Sequence, residues 1–228
     1  MLASQRMDIF EIVAAGDAEQ LDAALLADPA LAATRHPSGA SLLAWAHYVG
    51  QTHLAERLRR GAGDLALADA IIFGDRARVA ALLADGADPD QRSADGFPPL
   101  ALAAFFAGSE IFDLQLPLSI DLDATAENDQ RVAAMHAAAA RRQAGMIEKL
   151  LRAGAAPDLR QAGGFTALHT AARNGDAMST GLLLLWGADR KALTEDGRDA
   201  ESLARAAGHA WLTDLLDRYE REAVSRPV

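Results

Sequence analysis

The sequence predicts an all-α protein that is built from about seven consecutive repeats, each made of two short helices. Half of the 228 residues are apolar and only 5% are aromatic. Alanine and leucine must therefore build the core, which favours closely packed short helices. An alanine with similar neighbours returns at intervals of 24 to 35 residues, at Ala46, Ala70, Ala103, Ala138, Ala171 and Ala204.

A glycine marks the start of most repeats and serves here as the anchor of each copy. Equivalent positions fall at Gln5, Gly39, Gly63, Gly96, Arg131, Gly164 and Gly197. Ser41 and Thr166, two residues after their anchors, are typical helix N-caps, and Pro99 suits a first helical turn. A glycine able to close the first helix in the left-handed conformation stands eleven residues after five anchors, at Gly16, Gly50, Gly74, Gly175 and Gly208.

The clearest copy runs from Gly164 to Asp189. It reads Gly-Phe-Thr-Ala-Leu-His-Thr-Ala-Ala, and Gly-Asp, Leu-Leu and Gly-Ala-Asp follow at intervals. This pattern resembles the ankyrin repeat, which has a T-P-L-H-x-A signature and a period near 33. The resemblance implies an all-α solenoid of helix-turn-helix repeats with short or irregular hairpins between them. We expect a repeat domain over residues 1–222 and a C-terminal tail at 223–228.

Three departures from the pattern predict local irregularities. The interval of 24 between Gly39 and Gly63 leaves too few residues for the usual hairpin, so we expect a gap in the row of hairpins. Pro117 should end the second helix of the fourth repeat early. Arg142 stands where the fifth repeat would have its helix-closing glycine, and Gly145 is displaced into the next helix.

Both ends of the chain have the composition of capping repeats. Polar residues give the first repeat a solvated outer side, at Gln5, Arg6, Asp8 and Glu11. Apolar residues are predicted to form an inner stripe on a last helix, at Trp211, Leu212, Leu215, Leu216 and Tyr219.

Charge and composition exclude several classes of function. A net charge of −10 argues against nucleic-acid binding, which needs a basic face. The absence of cysteine excludes disulfides, thiolate nucleophiles and cysteine-ligated zinc. With no signal-peptide pattern and no run of ~18 apolar residues, we expect a monomeric cytoplasmic protein. Only Lys149 and Lys191 are lysine among 22 basic residues, a bias that favours a bacterial origin.

No combination of residues indicates catalysis, a cofactor or a metal. His136 and His169 are 33 residues apart and would stack on adjacent repeats, which is one route to a metal site. The resemblance instead implies that each imidazole braces its turn and links neighbouring repeats. Carboxylates in the inter-repeat loops are expected to bond to their own turn backbone, at Asp88, Asp90, Asp121, Asp123 and Asp189.

The resemblance places the residues nine and ten positions after each anchor in a concave groove, where solvated side chains are the default. Several repeats instead carry aromatic residues or arginine, the side chains that dominate interface energetics. The predicted partner-binding residues are Tyr48, Phe73, Phe97, Phe105, Phe106, Arg141, Arg173 and Asn174. The alternative is packing, with Phe105 and Phe106 under the irregular fourth repeat and Phe73 covering the short interval.

The sequence therefore predicts a non-catalytic module that binds a protein partner through its concave face. Arg141 and Arg173 would steer or clamp an acidic segment of that partner. An inhibitor or immunity-type protein that blocks one cognate enzyme would use the same face and is an open alternative. A third is a small-molecule sensor with a notch between repeats two and three, near Trp45, His47 and Tyr48.

Overall fold

The computed structural model describes residues 8–61, 63–214 and 216. Within these ranges the chain forms helices and turns, and its one β-type pairing is an isolated bridge between Arg35 and Ser41. The predicted all-α class is confirmed. The α-helices are α1 (Ile9–Ala15), α2 (Ala18–Ala27), α3 (Leu42–Tyr48), α4 (Thr52–Gly61), α5 (Leu67–Phe73), α6 (Arg76–Ala84), α7 (Pro99–Leu102), α8 (Ser109–Gln115), α9 (Ala134–Ala140), α10 (Ala144–Ala153), α11 (Ala167–Arg173), α12 (Ala177–Leu185) and α13 (Ala200–Ala206).

The helices form two layers. First helices pack side by side in the order α1, α3, α5, α7, α9, α11 and α13. A second helix packs behind each of the first six, and contacts between α6 and α8 and between α10 and α12 join that layer. Residues 211–214 are also helical and follow α13. Because each pair packs on its neighbours along the chain, the architecture is the predicted helical repeat solenoid.

The recurring alanines explain the close packing of the first helices. Ala46, Ala70, Ala138 and Ala171 are 0% exposed, and so are their counterparts Ala103 and Ala204. A methyl group at these positions allows neighbouring helix backbones to approach, and larger side chains fill the space between the layers. Leu150 and Leu183 on second helices are fully buried in this way.

Three of the turns between paired helices are fixed by a Gly-Asp step. The backbone of Gly16, Gly74 and Gly175 has φ of 74°, 82° and 67°, the left-handed conformation that ends a helix. The following aspartate then caps the second helix: Asp75 Oδ1 accepts from Arg78 N at 3.0 Å, and Asp176 Oδ1 from Ser179 N at 3.2 Å. The Gly-Asp pair is visible in the sequence, and the structure shows that its aspartate is the N-cap of the second helix.

The buried histidines have the bracing role that the resemblance implies. His169 Nδ1 accepts from Thr166 N at 3.1 Å, so Nε2 must carry the proton that it donates to Ala192 O at 2.9 Å. His136 makes the same pair of contacts with Ala133 N and Leu159 O one repeat earlier. Each imidazole therefore ties its own turn to the following repeat in one neutral tautomer.

This arrangement predicts a loss of stability in mild acid. Burial lowers the pKa of His136 and His169 below the ordinary value of 6.5. Because the unfolded chain then binds protons that the folded chain does not, the free energy of unfolding should fall as the pH drops below about 6.5. Chemical denaturation between pH 7.5 and 5.0 measures this decline. His169→Gln should be less stable at pH 7.5, and its free energy of unfolding should decline less steeply as the pH falls. His53→Gln, at an exposed histidine, should follow the wild type. An unchanged slope in His169→Gln would contradict the bracing role of His169.

Hairpin loops project from one end of the helix layers at residues 36–40, 93–97, 126–132, 161–165 and 194–198, each closed by a backbone hydrogen bond. Neighbouring hairpins are joined as well, since Glu127 N donates to Gly96 O at 2.9 Å and Glu195 N to Gly163 O at 2.9 Å. Arg160 Nη1 adds a bond across two hairpins, donating to Gly164 O and Leu193 O. The hairpins thus form a connected row.

The third repeat lacks a hairpin within its described residues, as predicted, but the expected open space in the row is absent. Gly39, with φ of 98°, approaches the next hairpin so closely that a Cβ there would lie 2.2 Å from Ala94 O. The described part of the third repeat supplies no hairpin, so nothing separates the hairpins of the second and fourth repeats. They meet directly instead.

The first helix of the fourth repeat ends without a left-handed glycine. Ala107 stands eleven positions after Gly96, at the place that Gly175 takes after Gly164. A π-helical turn at Ala103–Ala107 ends the helix there, and Gly108, with φ of 76° and ψ of −177°, is the N-cap of α8. Helix α8 ends at Gln115, just before Pro117, as predicted.

Gln115 is a second irregularity of this repeat. Its side chain is fully buried on α8, at the place that Leu150 and Leu183 take on α10 and α12. Neither amide atom has a hydrogen-bond partner among the described residues. A buried amide without partners destabilises a core, so the fourth repeat is packed less favourably than its neighbours.

The remaining expectations concern the fifth repeat and the ends. Arg142 adopts φ of 56°, the conformation of the glycine that it replaces. Leu212 and Leu216 are buried as predicted, but Trp211 is 55% exposed and does not belong to the inner stripe. It precedes Leu212 and so points about 100° away from it around the helix. The predictions for Gln5, Arg6, Leu215, Tyr219 and the tail at 223–228 lie outside the described residues.

Candidate binding groove

A cleft of about 760 Å³ opens beside the first helices of the second, fourth and fifth repeats. We call it the aromatic cleft, because five aromatic side chains line it: Trp45, Tyr48, Phe97, Phe105 and Phe106. Polar groups from the hairpins complete its lining, among them Asp95, Asn128 and Asp129. The groove is the wider surface formed by the C-terminal ends of the first helices and by the hairpins.

The missing hairpin of the third repeat and the π-helical turn of the fourth repeat bring these side chains together. Helix α3 carries Trp45 and Tyr48, while the π-helical turn carries Phe105 and Phe106. The described residues of the third repeat contribute nothing to the lining. Because that repeat has no hairpin, the loop at 93–97 reaches back toward α3 and brings Phe97 close to Tyr48.

The aromatic rings form two clusters within the cleft. The Tyr48 ring centroid is 5.6 Å from that of Phe106, and Phe106 is 4.8 Å from Phe105. Trp45 stacks on His36 at 4.0 Å, and its Nε1 donates to Phe10 O at 3.1 Å. Rings held by several neighbours and by hydrogen bonds have little freedom left to lose when a ligand binds.

Tyr48 and Asp95 form the polar centre of the cleft. The Tyr48 hydroxyl donates to Asp95 Oδ2 at 2.7 Å, and Asn128 Nδ2 donates to Asp95 O at 3.1 Å. Burial, and secondarily the bond to Asp95, raises the pKa of Tyr48 far above its ordinary value of 10.0. The phenol therefore keeps its proton and remains a donor to the carboxylate.

His47 also lines the cleft. Its ring lies 6.0 Å from Phe73 and 6.3 Å from Phe106. Burial lowers the pKa of His47, so the imidazole is neutral near pH 7. Its buried Nε2 has no hydrogen-bond partner in the described part of the chain.

The structure divides the predicted partner-binding residues into three places. Tyr48, Phe97, Phe105 and Phe106 meet in the aromatic cleft. Phe73 is not part of the lining; it packs against the core under the Arg59 guanidinium, 5.8 Å from its ring centroid. The remaining three lie further along the groove, at Arg141, Arg173 and Asn174.

Both arginines on the groove are exposed and held over phenylalanine rings. The Arg141 guanidinium carbon is 5.3 Å from the Phe105 centroid, and that of Arg173 is 5.6 Å from the Phe165 centroid. Asn174 is partly buried and donates to Ala139 O at 3.4 Å, so it bridges two repeats. The arginines retain hydrogen-bond donors for a partner, whereas Asn174 is engaged within the fold.

Two features of the cleft escaped the sequence reading. Asp95 was not singled out, although it stands beside the anchor Gly96. The notch expected between repeats two and three lies instead between the second, fourth and fifth repeats. Its signals were the missing third hairpin and the missing closing glycine at Ala107, and interpreting either signal requires knowledge of which distant residues meet.

Metal binding and membrane crossing are two further properties to consider for the described residues. No group of three or more histidine, aspartate or glutamate side chains is arranged to hold a metal ion there. Within the same ranges, no helix has the length and apolar character needed to cross a bilayer.

Comparison with protein families supports the architecture. The family model of the ankyrin repeat matches residues 163–195. This segment contains α11 and α12 together with the end of the hairpin that precedes them. No curated protein matches the chain. The sixth repeat is therefore similar to an ankyrin repeat, and the helix pairs on either side of it repeat the same packing.

Proposed function

We propose that the protein is a non-catalytic module that holds a protein partner in the groove of repeats two to six. Ankyrin repeats generally mediate protein–protein interaction, and residues 163–195 match that family. The observation that carries the proposal is Phe105, which is 39% exposed at the edge of an aromatic cluster. Large exposed aromatic side chains in a patch are typical of interaction sites.

The aromatic cleft would supply the apolar anchor of this interface. Phe106 and Tyr48 are partly buried against the core, and Phe105 stands above them on the π-helical turn. An apolar side chain of the partner that enters here would cover Phe105 and displace water from surfaces that are already rigid. Binding energy in interfaces is concentrated in such packed aromatic pockets.

Arg141 and Arg173 would supply the polar part. Stacking on Phe105 and Phe165 holds each guanidinium in place while leaving donor groups free to face solvent. A planar guanidinium binds carboxylates with two parallel hydrogen bonds. We therefore propose an acidic segment in the partner next to its apolar anchor.

We also propose that nucleic acid is not a ligand. The net charge of −10 supports this, because phosphate binding requires a basic face. We also propose that the chain acts as a monomer. Bacterial origin and cytoplasmic location stay predictions that are based on composition.

Capture with groove variants tests the proposed function. Wild type, Phe105→Ala, Arg173→Glu and the control Leu185→Ala, which removes an exposed leucine from α12, are immobilised and exposed to extract from the native host. We expect a protein that wild type and control retain and that both groove variants bind about 10-fold or more weakly. Thermal melts in parallel verify folding. A protein that all four forms retain equally would contradict the groove assignment.

A further inference from the structure

Asp95 is a buried carboxylate without a counter-ion. It is 8% exposed, and among the described residues it takes part in no ion pair. Its Oδ2 accepts from the Tyr48 hydroxyl, but Oδ1 accepts no hydrogen bond from the described residues. Buried charges in folded proteins are normally paired, because removing an ion from water is costly.

In the last hairpin, the aspartate at the equivalent position is paired with a cation. Asp196 precedes the anchor Gly197 as Asp95 precedes Gly96. There Arg198 Nη2 lies 2.5 Å from Asp196 Oδ2, and Thr194 Oγ1 donates to Oδ1. The hairpin can therefore provide a guanidinium for this aspartate, whereas at Asp95 the aromatic cleft occupies the corresponding space.

The rest of the cleft also favours positive charge. Aromatic rings present electron-rich faces to a bound cation. None of the lysine and arginine residues that the structure describes lines the cleft, while a second carboxylate, Asp129, does. Arg141 lies nearby but stacks on Phe105, and it is not among the lining residues.

We propose that the aromatic cleft binds a small organic cation, with its ammonium group beside Asp95 and its apolar body against Phe105 and Phe106. The volume of about 760 Å³ falls within the range of roughly 300–1,000 Å³ that small-molecule sites occupy. Because its apolar body would lie on Phe105, this ligand would compete with the apolar anchor of the proposed protein partner for the same cleft.

A matched series of probes tests the charge requirement. Isothermal titration calorimetry of the full chain at pH 7.5 compares 2-phenylethylamine, 2-phenylethanol and phenylacetate, which are cationic, neutral and anionic with the same ring. We expect the amine to bind at least about 10-fold more tightly than the alcohol, and the anion not to bind. An amine that binds no better than the alcohol, or not at all, would overturn the proposal.

Variants locate the site. Asp95→Asn should bind the amine about 10- to 100-fold more weakly, because a charge-assisted hydrogen bond is lost, and should bind the alcohol like wild type. Asp196→Asn removes the matching charge outside the cleft and should bind the amine like wild type. If Asp95→Asn does not fold, Phe105→Ala, which truncates an exposed ring, is the substitute test and should also bind the amine more weakly. Wild-type affinity in both cleft variants would overturn the assignment.

A last titration distinguishes two possible ligands of the cleft: a free organic cation and a basic side chain of a protein. The probe is the blocked tripeptide N-acetyl-glycyl-arginyl-glycinamide, titrated under the same conditions. Weaker binding than 2-phenylethylamine is the expected result. Tighter binding that Asp95→Asn abolishes would overturn the small-molecule assignment and identify the cleft as part of a protein interface.

Discussion

Replacing Leu183 with alanine should lower the free energy of unfolding by about 2–5 kcal/mol. Leu183 is 0% exposed on α12, which packs against both α10 and α11. Truncation removes apolar contacts within one repeat and with the preceding one, and the surrounding helices can close only part of the cavity. Because stability in a solenoid is shared between neighbours, a cavity at this boundary should weaken both repeats. Urea denaturation followed by circular dichroism measures the effect.

Leu185 offers a control on the same helix with the same chemical change. It is 57% exposed, so Leu185→Ala should alter stability by no more than about 0.5 kcal/mol. Equal midpoints for the two variants would mean that the leucines between repeats do not hold the stack together.

Gly39→Ala should destabilise the protein by about 2–4 kcal/mol. The residue needs φ of 98°, and its new Cβ would meet the carbonyl of Ala94 at 2.2 Å. A backbone atom cannot move aside as a flexible side chain can, so the hairpins of the second and fourth repeats must separate. Differential scanning calorimetry gives the loss of stability.

Gly197→Ala is the matched control, since Gly197 is also an anchor, has φ of 79° and has open space around its Cβ position. It should cost only the strain of the left-handed conformation, about 1–2 kcal/mol. Gly39→Ala should in addition weaken binding of 2-phenylethylamine in the aromatic cleft, whereas Gly197→Ala should not. Equal losses of stability would show that the close approach of the two hairpins does not form in solution.

The parts of the fold that could be predicted from the sequence depend on short-range chemistry that recurs. A buried alanine, a left-handed glycine and a bracing histidine each act within one repeat or between adjacent ones, so their period is visible in the chain. Pro117 and Arg142 were interpreted correctly for the same reason, because each affects its own helix end.

The aromatic cleft could be predicted only in part. Tyr48 and Asp95 are 47 residues apart and meet because the intervening repeat has no hairpin. The π-helical turn that carries Phe105 ends at Ala107, where other repeats have a closing glycine, and the absence of that glycine does not specify the kind of turn. Trp211 was misplaced because apolar composition alone does not fix which side of a helix faces the core.

Hydrogen–deuterium exchange of the protein with its captured partner bound tests the groove assignment most directly. We predict slower exchange at residues 97–108, 141–142 and 173–174, where the C-terminal ends of the first helices meet the hairpins, and unchanged exchange in α6, α10 and α12. Protection confined to those second helices, with the groove exchanging as in the free protein, would contradict the proposed binding face.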